Sequence, residues 1–320
     1  MTPIHPSQVH SHDQAIRERV LRAIAANRIP GVNFPGHFLD IEWLKVSSGN
    51  AYARLAAGPH CTDANGALDI VVLGILADNM LAAVSRTGAA PGVRLGTIHL
   101  QLQFTGETAV GDIDAASHLL GRTGGAKLQQ LLSSSTISAN GKPVWHASGE
   151  YALLDPPPGV TLGPLPWERT EPAPVLPVDP DKLDPPERAI LEASDAALAK
   201  ASAHTSFIQH LWGGTPRRKT HGASNRVMIG PHIANRVGHV QGGILIGLAA
   251  GNACAAAPAS MMLSNLSAWY ISPGRGAALR IESRILHAGR TITVVRTEIK
   301  TAAGERVIEA VSNHVARKRD

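Results

Sequence analysis

The clearest hydrophobic pattern in the chain is a helix that is apolar on every side. Residues 68–84 read LDIVVLGILADNMLAAV, in which charged or amide side chains occur only at Asp69, Asp78 and Asn79. A helix without a polar face must be surrounded by protein. We therefore predict a central helix buried inside its domain, with the carboxyl group of Asp78 in the middle of it.

A second long apolar stretch lies at residues 242–263. It is almost uncharged, as a transmembrane helix would be, but Asn252, Pro258 and Ser260 interrupt it, and it is rich in Gly and Ala. Such a segment favours a buried helix followed by a turn. We predict no membrane span.

The segments that follow each helix show the alternation, or the β-branched residues, typical of antiparallel strands. They are residues 97–104, 112–120, 126–139 and 143–153 in the first half, and 264–271, 277–288, 291–302 and 306–317 in the second. Residues 126–139 also fit a helix. The pattern predicts an α+β fold in which a long antiparallel sheet wraps around a central apolar helix, twice along the chain.

The two halves are copies of one unit. Residues 51–78 and 223–250 align without a gap, 172 positions apart, and nine of the 28 aligned residues are identical. Self-similarity of this kind indicates a repeated structural unit. Three aligned pairs differ in a way that affects chemistry: Asp78 and Ala250, Ile70 and Gly242, and Val71 and Gly243.

Prolines separate the two copies. They recur from Pro156 to Pro186, a composition that allows neither a helix nor a central strand. We predict an N-terminal unit at residues 1–154 with a helical opener near 13–27, a Pro-rich linker at 155–187, and a C-terminal unit at 188–320 with a second opener near 188–201. A chain of 320 residues suits two domains.

Composition narrows the classes of function. Hydrophobic residues make up 44% of the chain and charged residues 17%, which is typical of a folded globular protein. The net charge of +5 lies in short basic runs without interleaved aromatics, so we predict no nucleic-acid partner. Two isolated cysteines and an N-terminus without an apolar signal segment predict a cytoplasmic protein with no disulfide framework and no metal site.

The loop before the second apolar helix resembles a motif of a known family. Residues 235–243 read NRVGHVQGG. They match the pattern Asn-x-x-Gly-x-x-His-Gly-Gly of the hotdog-fold acyl-CoA thioesterases of the phenylacetate-pathway type at Asn235, Gly238, Gly242 and Gly243, and depart from it at Gln241, which replaces the His. In that family an Asp follows the His by nine residues. Here the first copy supplies it, as Asp78 in Leu-Ala-Asp-Asn.

The resemblance implies two tandem hotdog units that form a pseudo-dimer within one chain, and hydrolysis of an acyl-CoA thioester. It implies no cofactor beyond the coenzyme A of the substrate. Pairing of two such chains into a homodimer is a further expectation from the family.

Active sites of that family form between two hotdog units. The resemblance therefore implies one composite site, in which Asn235, Gln241, Gly242 and Gly243 of the second unit meet Asp78 of the first. The mirror-related site would combine residues of the first unit with a position that has lost its acid, and we expect it to be inactive; its members are Asp63, Asp69, Ile70 and Ala250.

The residue types suit this chemistry. Gly242 and Gly243 leave backbone N–H groups unblocked at the positive end of a helix, where they would stabilise a negatively charged thioester oxygen. Asp78 would act either as a general base on water or as a nucleophile that forms a mixed anhydride. Thr97, at the start of the next strand, would help to hold the water or the acid.

Three further residues are candidates for substrate binding. Arg122 and Arg290 each follow a turn glycine and could bind the phosphates of coenzyme A. His239 lies two residues before Gln241 and could face the pocket. Solvated turn residues are the alternative interpretation of the two arginines.

Structural and functional alternatives stay open. The paired glycines would also permit close helix packing, Asp78 could cap a loop, and Asn235 could be a turn residue. A non-catalytic acyl-CoA or lipid-binding protein with a decayed site is the alternative from another class. A hotdog enoyl-CoA hydratase is a third, although residues 63–66 lack the Pro and His of its Asp-x-Asn-Pro-x-His pattern.

Overall fold

Two units of the same kind follow each other in the structure, a computed structural model that describes residues 6–125, 127–159, 162–171 and 174–317. The first unit comprises α1 (Pro6–Asn27), α2 (Phe34–Leu39), β1 (Glu42–Ser47), β2 (Asn50–Ala56), α3 (Ile70–Arg86), β3 (Arg94–Phe104), β4 (Asp112–Gly124), β5 (Gln129–Ala139) and β6 (Lys142–Leu154). The second comprises α4 (Pro185–Leu198), β7 (Arg217–Lys219), β8 (Gly222–Met228), α5 (Gly242–Ala256), β9 (Met261–Tyr270), β10 (Ala278–Ala288), β11 (Ile292–Thr301) and β12 (Arg306–Ala316).

All the strands of the described residues form one antiparallel sheet. Its order is β1-β2-β4-β5-β6-β3-β9-β12-β11-β10-β8-β7, so each unit contributes one half. The halves join where β3 pairs with β9, with His99 opposite Trp269 and Gln103 opposite Asn265. The predicted fold is confirmed: each half of the sheet wraps around one long helix, α3 or α5, and the two hotdog units form a pseudo-dimer.

The two central helices touch each other, and glycines make that contact possible. A Cβ atom added to Gly243 would lie 2.4 Å from the Cα of Ile75, and one added to Gly247 would lie 2.5 Å from the Cα of Val71. Any side chain at either position would push the helices apart. The close approach brings the first turn of α5 against the middle of α3, where Asp78 lies.

The helices are buried as their patterns predict. In α3, Val72, Ile75 and Leu76 have no exposed surface, and Ile244 and Ala250 of α5 have none either. Each helix packs on the inner face of its own half of the sheet, which turns its alternate residues toward the core. Within the described residues, no helix combines the length and the apolarity that crossing a bilayer requires.

Several element bounds differ from the sequence prediction. Residues 126–139, for which a helix was the alternative, form strand β5 from Gln129 onward. Helix α2 and the strands β1 and β7 were not predicted, because they are short and the two strands are mostly exposed, which leaves no apolar periodicity to read. Strand β6 ends at Leu154, directly before the predicted linker, but α4 begins at Pro185, so its first three residues lie inside that linker. Proline is tolerated in the first turn of a helix, where its missing N–H costs no hydrogen bond. The bounds of the linker as a domain boundary stay a prediction.

Candidate active site

Asp78 is the centre of a cluster that both units build. Its side chain is only 6% exposed and lies in the middle of α3. One carboxylate oxygen, Oδ2, accepts hydrogen bonds from the Gly243 N–H at 3.0 Å and from the Gln241 Nε2 at 3.1 Å. The other, Oδ1, accepts from the Tyr151 hydroxyl at 3.0 Å and lies 3.4 Å from the Thr97 hydroxyl. The second unit thus supplies the donors to one oxygen, and the first unit supplies those to the other.

Helix α5 begins next to the Asp78 carboxylate, and the side chain of Gln241 makes this arrangement possible. It is the N-cap residue of α5, and its Oε1 accepts from the Ile244 N–H at 2.9 Å. Its amide nitrogen then points toward α3, where it donates to Asp78 and, at 3.2 Å, to the Oδ1 of Asn79. An amide both accepts and donates without carrying charge, whereas a carboxylate at this position could only accept and would repel Asp78.

Gly242 stands directly beside the carboxylate. A Cβ atom here would lie 2.8 Å from Asp78 Oδ2 and 3.1 Å from Thr97 Oγ1, so no other residue fits without displacing the acid. Its carbonyl accepts from the Tyr270 hydroxyl at 2.7 Å. Its N–H belongs to the first turn of α5, where helical N–H groups have no partner within the helix. Nothing in the described chain accepts a hydrogen bond from it. This N–H therefore remains free for a ligand oxygen.

The surroundings of Asp78 raise the pKa of its carboxyl group toward neutral pH. Burial raises the pKa of Asp78 from its ordinary 3.8 to about 6, and the hydrogen bonds from Tyr151, Gly243 and Thr97 keep it from rising further. The pKa values of Tyr151 and Tyr270 are raised well above their usual range, chiefly by burial and by the nearby Asp78. Both phenols thus stay protonated donors. Near neutral pH Asp78 is largely ionised and can accept a proton.

Two cavities reach the cluster from different sides. One, of about 310 Å³, is lined by Thr97, Gly242, His239 and Tyr270. The other, of about 160 Å³, borders Asp78 itself and also contacts Thr97 and Gly242. A ligand can therefore approach the reacting position between Asp78 and Gly242 from either side.

The mirror-related position is organised differently. Asp69 takes the place of Gln241, and its Oδ1 caps α3 by accepting from the Val71 N–H at 2.8 Å. Asp63 holds the preceding loop by accepting from the N–H groups of Asn65 at 2.8 Å and Ala67 at 3.0 Å. Burial raises the pKa of Asp69 to about 6 as well. The acids of the mirror site thus serve as caps of their own unit.

No acid stands opposite that helix start in the second unit. The residue aligned with Asp78 is Ala250, which is fully buried. The strand registers pair Thr97 with Tyr151 in the first unit, and the corresponding pair in the second is Leu263 with His314. With Ile70 in place of Gly242, Ala250 in place of Asp78 and Leu263 in place of Thr97, apolar side chains replace three members of the polar cluster, while the buried His314 stands at the position of Tyr151. These positions agree with the expectation of one active and one inactive site, which stays a prediction.

Two of the remaining candidates, Asn235 and His239, line cavities at Asp78. Asn235 lines both cavities, but its Oδ1 already accepts from the N–H groups of Val237 and His239, each at 3.0 Å, as Asp63 does in the first copy. The structure therefore shows Asn235 in a turn role. His239 lines the larger cavity, and burial lowers its pKa.

The two candidate phosphate-binding arginines lie elsewhere. Arg122 donates to Gln129 at 3.0 Å and to the Gly88 carbonyl, and it lines a separate cavity with Lys127. Arg290 is exposed in the turn between β10 and β11 and borders neither of the two cavities at Asp78. Their predicted role with coenzyme A stays a prediction.

Sequence reasoning missed three side chains of the cluster. Tyr151 and Tyr270 lie near the ends of β6 and β9, and no motif marks them. Alternation along β6 gives the inward direction of residue 151, which is the one signal that could have indicated it. Asn79 was noted as a polar interruption of its helix and as part of the Leu-Ala-Asp-Asn segment, but no role was assigned to it.

Comparisons with known proteins indicate which family the second unit resembles. Residues 231–314 match the family model of the acyl-CoA thioesterase N-terminal domain. No curated protein sequence matches the chain. The match confirms the resemblance to acyl-CoA thioesterases, and it covers Gln241, Gly242 and Gly243. This part of the chain is thus similar to an acyl-CoA thioesterase domain, while the phenylacetate-pathway type stays a prediction.

Solved structures resemble the chain more distantly. The acyl-CoA thioesterase II TesB2 of Mycobacterium marinum is 15% identical over 89% of this chain and 99% of its own, with a TM-score of 0.49. The tesB protein of Mycobacterium avium subsp. paratuberculosis is 13% identical over 87% and 96%, with a TM-score of 0.49. A Bacillus halodurans protein whose structure contains CoA is 22% identical over 43% of this chain and 98% of its own, with a TM-score of 0.39.

Proposed function

We propose that this chain hydrolyses an acyl-CoA thioester at a single composite site between its two hotdog units. The observation that carries the proposal is the meeting of the Asp78 carboxylate with the start of α5, beside the Gly242 N–H that no group of the described chain occupies. The acyl-CoA thioesterase family match of the second unit supports the substrate class.

The reaction needs a base and a donor for the oxyanion, and the cluster contains both. The carboxylate of Asp78 removes a proton from water as the water oxygen bonds to the thioester carbonyl carbon. The carbonyl oxygen becomes negative and accepts the Gly242 N–H, at the positive end of α5. When the intermediate collapses, the carbon–sulfur bond breaks, and Asp78 returns the proton to the sulfur of coenzyme A. The products are a carboxylic acid and a free thiol.

The neighbours of Asp78 have positioning roles in this scheme. Gln241 and Gly243 hold Oδ2 at 3.1 Å and 3.0 Å. The contact of Thr97 with Oδ1 is the longest of the four, at 3.4 Å, so its hydroxyl is the easiest to exchange for a water. Because both carboxylate oxygens are already held by donors, we favour a general base over a nucleophile for Asp78.

The site suggests how the rest of the substrate is held. The larger cavity, with His239 and Tyr270 in its walls, suits the polar pantetheine arm. Since base and oxyanion donor both come from the chain, the proposed reaction requires neither a metal nor a redox cofactor. We further propose a cytoplasmic homodimer of double-hotdog chains, as the family resemblance implies.

The experiment is release of free thiol from a panel of short, long and aromatic acyl-CoAs by wild type and Asp78→Ala. The proposal predicts turnover by wild type and a loss of about 10²–10⁴-fold in kcat on removal of the base. Binding of acyl-CoA without any turnover would overturn it in favour of a binding protein. Loss of the double bond from an enoyl-CoA without thiol release would instead indicate a hydratase.

A further inference from the structure

Three arginines line the same cavity as Asp78. They are Arg86 at the C-terminal end of α3, Arg94 at the start of β3, and Arg236 in the loop before α5. Among the residues that the structure describes, Asp78 is the only acid that lines this cavity of about 160 Å³. The space beside the proposed base therefore carries an excess of positive charge, which the attack of water on a thioester does not require.

Protein groups occupy only a part of the hydrogen-bonding capacity of these arginines. Arg86 donates to the Val93 carbonyl at 2.9 Å, and Arg236 donates to the Gly163 carbonyl. Each of these contacts uses one of the five N–H groups of a guanidinium. Within the described residues, no carboxylate lies within 4.0 Å of any of the three arginines. Donors thus remain that can bind an oxyanion.

Arg86 and Arg236 face the same space although their charges repel each other. Both also line a neighbouring cavity of about 420 Å³. Burial lowers the pKa of both side chains, and the positive charge of Arg86 lowers the pKa of Arg236 further, while the exposed Glu168 acts in the opposite direction. An anion bound between the two guanidinium groups would relieve this repulsion.

The mirror-related position lacks both charges. With the offset of 172 residues between the two copies, Arg236 corresponds to Ala64. If the same offset is continued along the central helix, Arg86 corresponds to Pro258. The two arginines therefore occur on the side of the pseudo-dimer that has Asp78, and, like the cluster around Asp78, they come from both units.

The size of the cavity indicates which part of a thioester would carry the anion. A volume of 160 Å³ is the liquid volume of about five water molecules. This is room for a short acyl chain that ends in a carboxylate. The pantetheine arm, with two amides and a branched diol unit between the sulfur and the first phosphate, is too large for this space. In the proposed function it occupies the larger cavity on the other side of Gly242.

We propose that Arg86 and Arg236 bind a carboxylate at the far end of the acyl group, and that the site prefers monothioesters of dicarboxylic acids of about four or five carbons over neutral acyl-CoAs of the same length. This inference rests on the proposed thioesterase function. Hydrogen bonds between charged partners contribute roughly 10- to 100-fold in affinity. The kcat/KM for glutaryl-CoA should therefore exceed that for pentanoyl-CoA by at least about tenfold.

The test compares these two acyl groups, which have equal length and differ in the terminal charge. The measured quantity is the ratio of kcat/KM for glutaryl-CoA to that for pentanoyl-CoA. We expect Arg86→Gln and Arg236→Gln each to lower this ratio at least about fivefold. Arg280→Gln, which removes the same charge from an exposed position of β10, should leave it unchanged. No preference for glutaryl-CoA in wild type, or an unchanged ratio in both active-site variants, would overturn the proposal.

The phosphates of coenzyme A are the other anions of the substrate, and thioesters of pantetheine, which lack phosphate, separate the two sources. The proposal predicts that wild type prefers glutaryl-pantetheine over pentanoyl-pantetheine and that Arg86→Gln loses this preference. If Arg86→Gln instead raises the KM for pentanoyl-CoA and leaves both pantetheine thioesters unaffected, the arginines bind the phosphates of coenzyme A and the proposal is wrong.

A binding measurement keeps the test independent of turnover. In Asp78→Asn, calorimetry should show that glutaryl-CoA binds at least about tenfold more tightly than pentanoyl-CoA, and Arg86→Gln in the same background should abolish the difference. The comparison in Asp78→Asn alone does not depend on the folding of the arginine variant. Equal affinities for the two ligands contradict the carboxylate site. Absence of turnover by wild type, with the difference in affinity intact, refutes only the hydrolytic function.

Discussion

Replacement of Asp78 by asparagine should stabilise the fold while it removes the proposed base. The buried carboxyl has a pKa of about 6 in the folded protein, against an ordinary 3.8. Because the folded state binds this proton more tightly than the unfolded state, ionisation of Asp78 costs stability. The cost is absent below the lower pKa, grows as the pH rises from 3.8 to about 6, and is constant above that.

The magnitude follows from the two values. The cost is about 3 kcal/mol at pH 8 and about half of that at pH 5. An asparagine avoids it and also fits the cluster. Its oxygen can accept from Gly243 and Gln241, as Oδ2 does now, and its NH₂ can donate to the Tyr151 and Thr97 hydroxyls, which can accept instead.

The assay is urea unfolding of wild type and Asp78→Asn at pH 5, 6 and 8. We expect the variant to be more stable at pH 8, and its advantage to shrink by about half at pH 5. Asp69→Asn provides the control, since Asp69 has a similarly raised pKa without a place in the proposed site. A destabilised Asp78→Asn, or an advantage that does not change with pH, would refute the reasoning.

Two further pairs of substitutions test the geometry around the acid. Tyr151→Phe removes a donor that lowers the pKa of Asp78, so the pH at which kcat/KM reaches half its plateau should rise by about one unit. Tyr270→Phe loses a hydrogen bond to the Gly242 carbonyl instead, and it should shift this pH less. Equal shifts in a pH–rate profile would contradict the assignment. Gly242→Ala should lower kcat for thiol release by about 10²-fold, because its Cβ would displace Asp78. The control is Gly251→Ala, whose Cβ would lie at an ordinary contact distance of 3.6 Å from Ile70; it should keep the wild-type rate.

Much of the fold could be predicted from the sequence, because each pattern occurs in both copies of the unit. The apolar helix, the glycines at the start of α5 and the loss of an acid at Ala250 all emerge from the alignment of the two copies. The meeting of Asp78 with Gly242 was expected only through the family resemblance. Its physical basis, the close approach of α5 to Ile75, depends on contacts between residues far apart in the chain.

Other parts of the site could not be predicted, for identifiable reasons. Tyr151 reaches Asp78 because β6 pairs with β3 in one particular register, and a shift by one residue would turn it away. A turn role for Asn235 was one of the sequence alternatives, but the pattern could not show which backbone N–H groups its side chain would accept from. A further cavity, lined by Trp43 and Asn79, lies where α1, α2 and β1 meet the interdomain segment, and two of these elements were too short to predict.

The central claim is that one carboxylate per chain, that of Asp78, carries out hydrolysis. The most direct measurement is the rate of thiol release from one acyl-CoA by wild type, Asp78→Asn and Asp69→Asn at pH 8. Both acids are buried, Asp78 in the composite site and Asp69 in the mirror-related position, and each substitution is isosteric. The account predicts a loss of about 10²–10⁴-fold in kcat for Asp78→Asn and the wild-type rate for Asp69→Asn. Equal losses in the two variants, or full activity in Asp78→Asn, would contradict it.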